Sequence, residues 1–171
     1  ASAKSLFHTD RGNVATDSGP PTVDRLEEMR VLMAQQKDPN GEDFLDLRPA
    51  VWVGPIGLGA EARVVVEAEF DFGALTETQS AVAHMFRKPN KVRDIVSTFV
   101  DTPRLTGFRW YLFADPAVAP VFEVVFLDGE ANPVMEVDER LEFDGVLWRV
   151  RHDYGVAAID FRGAVTNAGG T

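Results

Sequence analysis

A chain of 171 residues with 17 basic and 27 acidic side chains carries a formal charge of −10 and a pI near 4.7, which argues against gripping nucleic acid through phosphates. With 45% hydrophobic residues it is long and apolar enough to bury a core as one domain, or one domain with a lobe. The absence of cysteine excludes disulfides, thiolate metal sites and cysteine nucleophiles. No apolar stretch reaches the roughly 18 residues of a membrane span, and the amino end is too polar for a signal peptide. The chain is therefore read as soluble and intracellular. Ala1 in place of Met is expected of a processed product or a piece of something longer.

Residues 1–21 mix Ser, Thr, Asp and Gly with little periodicity, and Gly19-Pro20-Pro21 blocks a helix, so an extended arm or flexible lead-in is expected. Thr22 is placed to N-cap a helix over residues 22–37, with Asp24, Glu27 and Glu28 near its positive end and Val23, Leu26, Met29 and Met33 at helical spacing. The turn Asp38-Pro39-Asn40-Gly41 stops it. Val51-Trp52-Val53 reads as a short buried strand closed by Gly54-Pro55. Residues 58–69 read as a second helix, with the triplet Val64-Val65-Val66 leaving a strand reading open. Residues 70–89 give little signal beyond loop markers such as Gly73, and residues 92–100 return to strand, closed by Thr102-Pro103. Sheet then dominates. Residues 122–127 are a continuous apolar run that ends in the turn Asp128-Gly129. In residues 146–153, Val146, Trp148, Val150 and His152 share one face and Leu147, Arg149, Arg151 and Asp153 the other. Tyr154-Gly155 is expected to turn the chain into residues 156–165, forming an antiparallel hairpin with Asp160 and Arg162 across from Arg149 and Arg151. Helices early and strands late favour α+β over a regular βαβ layout.

No catalytic set assembles from these residues. His8 and Asp10 lie in the lead-in and lack enclosure. His84 has no second histidine at ligand spacing, and strand alternation sends His152 and Asp153 to opposite faces. The string from Gly54 to Gly59 resembles a phosphate loop in outline but lacks the Gly-Lys-Ser/Thr ending. Glu136, Asp138, Glu139, Glu142 and Asp144 form an acidic run without calcium-loop spacing, so it reads as a solvated face or the partner of a basic patch on a neighbouring subunit. The basic cluster is Arg87, Lys88, Lys91 and Arg93. In an acidic chain it points to heterologous subunit contacts, in which one surface meets a different one. No cofactor or metal is expected.

The phrases LFADPAVAPVFEVVFLDG and WRVRHDYGVAAIDFRGAVTNAG resemble the carboxyl end of the major capsid protein of tailed bacteriophages, in the Mu-like major head subunit group, often fused downstream of a Clp-like prohead protease. Leu6-Phe7-His8, Gly12-Asn13, RVLMAQQKDPNG over residues 30–41 and Leu47-Arg48-Pro49 resemble the preceding part of the same family, so the resemblance covers most of the chain in order. It implies an α+β fold of the Hong Kong-type phage shell class: an extended arm over residues 1–21, then one capsid domain over residues 22–171 with peripheral and axial lobes. The spine helix falls at residues 22–37, and the closing strands return to the peripheral sheet. The implied function is structural and non-enzymatic, a self-assembling subunit of an icosahedral capsid that encloses DNA. Its partners are copies of itself, with scaffold, portal or decoration proteins, and no membrane or specific nucleic-acid site. Its place is the virion, with assembly in the host cytoplasm. Other readings are a prohead protease fragment, for which the chain lacks a Gly-x-Ser-x-Gly elbow, and a cellular nanocompartment shell protein of the same ancestry.

Overall fold

The computed structural model describes residues 4–71, 88–140 and 145–170, without the side chains of residues 139, 140 and 145. Two compact units are present. The first comprises residues up to Val121 together with those from Asp160 onward, and the second is Phe122–Ile159.

In the first unit, Thr22 caps helix α1 (Val23–Ala34) by accepting a hydrogen bond from the Arg25 amide at 3.3 Å. Leu26, Met29 and Met33 form its buried stripe. The helix ends three residues short of the expected Lys37. Gln36 folds back, its side-chain amide donating to the carbonyls of Leu32, Arg11 and Gly12, and Lys37 instead bridges to Phe44. Pro39 disfavours helical backbone at the residue before it, which helps fix that stop.

Strand β1 (Pro49–Pro55) runs directly into helix α2 (Ile56–Glu67), and strand β2 (Thr98–Thr102) returns parallel to β1. One β-α-β crossover therefore sits inside the mixed sheet. The Val64-Val65-Val66 triplet is helical: Ala62 and Val66 face inward one turn apart, while Val64 points to solvent. Gly59 lets α2 approach β2, because a Cβ there would lie 2.7 Å from the Asp101 side chain. Strand β3 (Trp110–Ala114) is antiparallel to β1, and strand β8 (Ala164–Asn167) antiparallel to β3, giving the order β2-β1-β3-β8. Trp52 and Trp110, 6.5 Å apart, centre a core with Leu112, Val165 and the inward faces of both helices.

The strand expected over residues 92–100 begins only at Thr98. Val92 and Val96 are buried in a turn rather than a strand. Asn90 accepts from the Val92 amide, and Asp94 takes a positive φ of 56°, which holds that segment against the carboxyl end of α2.

The lead-in lies along β8. Ala15 donates to the Thr166 carbonyl at 2.9 Å, and Thr166 donates to the Asn13 carbonyl at 3.0 Å. Buried Asn167 accepts from the Gly19 and Gly169 amides and donates to the Asp17 carbonyl, while the Trp110 indole donates to the Gly19 carbonyl. Buried Asn13 likewise accepts from His8 and donates to Leu6.

The second unit consists of two-stranded ribbons. Strand β4 (Phe122–Phe126) pairs antiparallel with strand β7 (Tyr154–Ala158), and strand β5 (Val134–Arg140) pairs with strand β6 (Gly145–Arg151). The expected hairpin between residues 146–153 and 156–165 does not form. Strand β6 pairs with β5, Tyr154-Gly155 opens β7, and the end of the expected partner becomes β8 of the other unit. Asp160 therefore pairs with Arg162 of its own turn at 3.0 Å, not with a strand opposite. Asp128-Gly129 do turn the chain after β4, both with positive φ.

Replacing Asn167 by Ala strands two amides and a carbonyl in a buried setting, at a cost of about 1–3 kcal/mol. Thermal unfolding should fall by about 2–4 °C per kcal/mol. Asn40→Ala, at an exposed turn, should leave the midpoint unchanged. Equal midpoints for the two variants would contradict this role for Asn167.

Candidate subunit-contact surfaces

The basic cluster lies at the carboxyl end of α2. Asn90 holds it there, its side-chain amide donating to the carbonyls of Val65 at 2.7 Å and Ala68 at 2.9 Å. Cations are favoured near such a helix end, where unpaired carbonyls concentrate negative charge. Each described cation also faces a carboxylate of its own chain. Lys88 lies 3.7 Å from buried Asp71, Lys91 lies 2.8 Å from Asp24 on α1, and Arg93 lies 3.6 Å from Asp94. The hydrogen bond from Lys91, reinforced by its charge, holds the Asp24 carboxyl below the ordinary carboxylate range, and the same contact raises Lys91. One turn along, the guanidinium of Arg30 lowers Glu27 in the same way. Arg87 lies outside the described residues.

On the second unit, Glu136 sits directly across the ribbon from Arg149, their charged groups 3.7 Å apart. Asp138 is exposed opposite Leu147. The backbone of Glu139 pairs with Val146, while its side chain, with His84, Glu142 and Asp144, lies outside what is described.

The described histidines, His8 and His152, are engaged by neighbours in the chain. The His8 ring nitrogen Nδ1 accepts from the Asp10 amide at 3.1 Å and caps a short 3-10 turn, Thr9–Arg11, while the Asp10 carboxylate turns to Lys4 at 2.6 Å. That lysine lowers the Asp10 carboxyl through a hydrogen bond and its charge. His152 lies between the rings of Phe126 and Tyr154 at 5.9 and 5.2 Å, and Asp153 pairs with Arg151 at 3.1 Å. His152 and Asp153 occupy the connection between β6 and β7, beyond the strand in which the alternation placed them. Gly54 serves packing, since a Cβ there would fall 2.4 Å from the Trp52 ring. Among the described residues no three His, Asp or Glu side chains converge as a metal site requires, and no helix is long and apolar enough to cross a membrane.

What the sequence alternation did not convey is that the residues of the apolar face it defined are exposed. By register, Met135, Val137, Val146, Trp148 and Val150 share one face of the β5–β6 ribbon, with Trp148 63% and Val150 66% exposed. Phe122, Val124, Tyr154 and Val156 share one face of the β4–β7 ribbon and are also exposed. The opposite face of β5–β6 carries the Glu136–Arg149 pair.

Because the folded-state value of Asp24 is depressed, its pairing stabilises the protein at pH values above the unfolded carboxyl's titration, near pH 4. That contribution is lost as pH falls through the lower folded value. Asp24 is largely exposed, so the effect is below about 1 kcal/mol. Urea midpoints of wild type and Asp24→Asn should differ slightly at pH 7 and converge by pH 2. A gap that widens on acidification would contradict the assignment.

The family model described as phage capsid protein matches residues 1–167. No curated protein matches the chain. Among solved structures, a chain from Mycobacterium phage Che8 is similar at a TM-score of 0.45 and 14% identity, over 94% of this chain and 54% of that one. The chain thus spans about half the length of that relative, and so weak a likeness adds nothing to the assignment. The family match alone runs over almost every residue, and the chain belongs to the phage capsid protein family.

Proposed function

We propose that the chain assembles with copies of itself into an icosahedral shell that encloses packaged DNA, and that neighbouring copies cover the apolar faces of its ribbon unit. The observation that carries this reading is the exposed row of Met135, Val137, Val146, Trp148 and Val150 on a two-stranded sheet. A lone two-stranded ribbon is marginal in water, and a contiguous apolar face of this size marks an interaction surface. The charge of −10 supports a wall that surrounds DNA without gripping it.

In this reading α1 serves as the spine helix, the four-stranded sheet as the base of one lobe and the ribbon unit as the other, all within one capsid domain preceded by the arm of residues 1–21. Assembly takes place in the host cytoplasm, with scaffold, portal or decoration proteins as further partners and an upstream prohead protease as in the Mu-like group. The subunit is not a catalyst, a view supported by the capping role of His8 and the stacked ring of His152. Lys88, Lys91, Arg93, Glu136 and Asp138 serve as rim contacts between copies, with Arg87 and Glu139 beside them. Exposed pairs of this kind contribute about 0–1 kcal/mol, and the in-chain carboxylates compete for the cations.

Sedimentation velocity of wild type and of Trp148→Ser with Val150→Ser tests the reading. Truncating an interface tryptophan costs about 2 kcal/mol or more, so the concentration for half-assembly should rise at least about 10-fold. Charge reversal at Lys88 and Lys91 should instead alter mainly the salt dependence. Unchanged assembly in the ribbon variant would refute the role of that face.

A further inference from the structure

Unit one holds a groove of about 400 Å³ where the lead-in, the exit of α1 and the segment before β8 meet. Phe161 stands in it with the guanidinium of Arg11 4.5 Å and that of Arg162 4.9 Å from its ring centre. Lys37 lines the same groove and lies 5.3 Å from the ring of Phe44, which is 63% exposed. Arg162 is committed within the chain, donating to the Lys37 carbonyl and pairing with Asp160. The Arg11 guanidinium donates to the Lys4 carbonyl, and neither it nor Lys37 has a carboxylate at ion-pair distance among the described residues. Of the two carboxylates that line the groove, Asp10 pairs with Lys4, while Asp38 accepts from the Glu42 amide and keeps its charge, leaving Arg11 and Lys37 in excess over it. The groove is therefore a place where a chain of −10 offers cations beside aromatic rings.

The ribbon unit has the opposite character. Residues 122–159 contain nine acidic and three basic side chains, a net of −6 within 38 residues, and their apolar faces are exposed. Two such ribbons meeting face to face would bring together like charge. A ribbon meeting the groove would place its apolar face over Phe44 and Phe161 and bring its net negative charge towards Arg11 and Lys37.

We propose that the cationic, aromatic groove at Arg11, Lys37 and Phe161 is the acceptor for the acidic, apolar ribbon of a second copy. The inference rests on the reading that a neighbouring copy covers the ribbon face, and it adds which surface does so. The contact is heterologous: each copy gives a ribbon and receives one, so the chain propagates into a ring or an open array. Charge complementarity across it gives specificity and speeds encounter, and it weakens with salt.

Complementation between two defective variants tests the proposal. The groove variant carries Arg11→Glu and Lys37→Glu, and the ribbon variant carries Trp148→Ser and Val150→Ser, with circular dichroism confirming that each folds. Lys37→Glu alone, at an exposed position, replaces the double substitution if that one fails to fold. Each variant alone should self-associate at least tenfold more weakly than wild type by sedimentation velocity. Mixed one to one, they should form a heterodimer and nothing larger, because only one intact groove and one intact ribbon remain. A groove variant that assembles as wild type does, or a mixture that stays monomeric, would overturn the groove as acceptor while leaving the ribbon reading intact. A wild-type chain that stays monomeric at high concentration would instead remove the self-association on which both rest.

Discussion

A two-stranded ribbon by itself has no second layer on which to bury its apolar face, and the proposed assembly depends on that constraint. Strands β5 and β6 place Trp148, Val150 and Met135 on one side and the Glu136–Arg149 pair on the other. Such sorting ordinarily accompanies burial, since about 25 cal/mol is gained per Å² of apolar surface removed from water. Within the ribbon itself that gain is left unrealised. In the proposed assembly, neighbouring copies that cover the face would recover it.

The first unit contrasts with this at every level. Its core is closed around Trp52 and Trp110, and the buried amides of Asn13 and Asn167 are hydrogen-bonded where the chain passes inside. Asn167 ties Asp17, Gly19 and Gly169 together, Asn13 ties Leu6 and His8, and the Trp110 indole closes on Gly19. The bonds of Asn167 to Asp17 and Gly19 join the lead-in to β8 across about 150 residues of sequence, and buried polar groups left without them would cost more than the bonds themselves contribute. The unit has the properties of a rigid frame. Its surface keeps Arg11 and Lys37 without a carboxylate partner among the described residues, whereas the basic cluster beside α2 faces carboxylates of its own chain.

Local periodicity made much of this legible. Thr22 as a cap, the stripe of Leu26, Met29 and Met33, the strand around Trp52 and the turn at Asp128-Gly129 follow from side-chain chemistry within a few residues. Pairing was not legible, because it is set by contacts distant in sequence. Strand β6 and the segment after it each alternate as a hairpin would, yet β6 pairs backward with β5 while β7 returns to β4. Val92 and Val96 mimic a strand but are buried by a turn that Asn90 and Asp94 hold in place. The ionic partners of Lys88 and Lys91 were hidden for the same reason: Asp24 lies 67 positions from Lys91 and reaches it only after α1 has packed. A count of charges along the sequence marked the cluster but not its neutralisation.

The central claim is that the ribbon unit depends on a neighbouring subunit to cover its apolar faces. Amide hydrogen exchange of β4 to β7, compared between dilute monomer and assembled protein, addresses it most directly. The account predicts fast exchange in these strands in the monomer, slowed at least tenfold on assembly, while β1, β3 and β8 remain protected in both. Equal protection of the ribbon strands in monomer and assembly would contradict it.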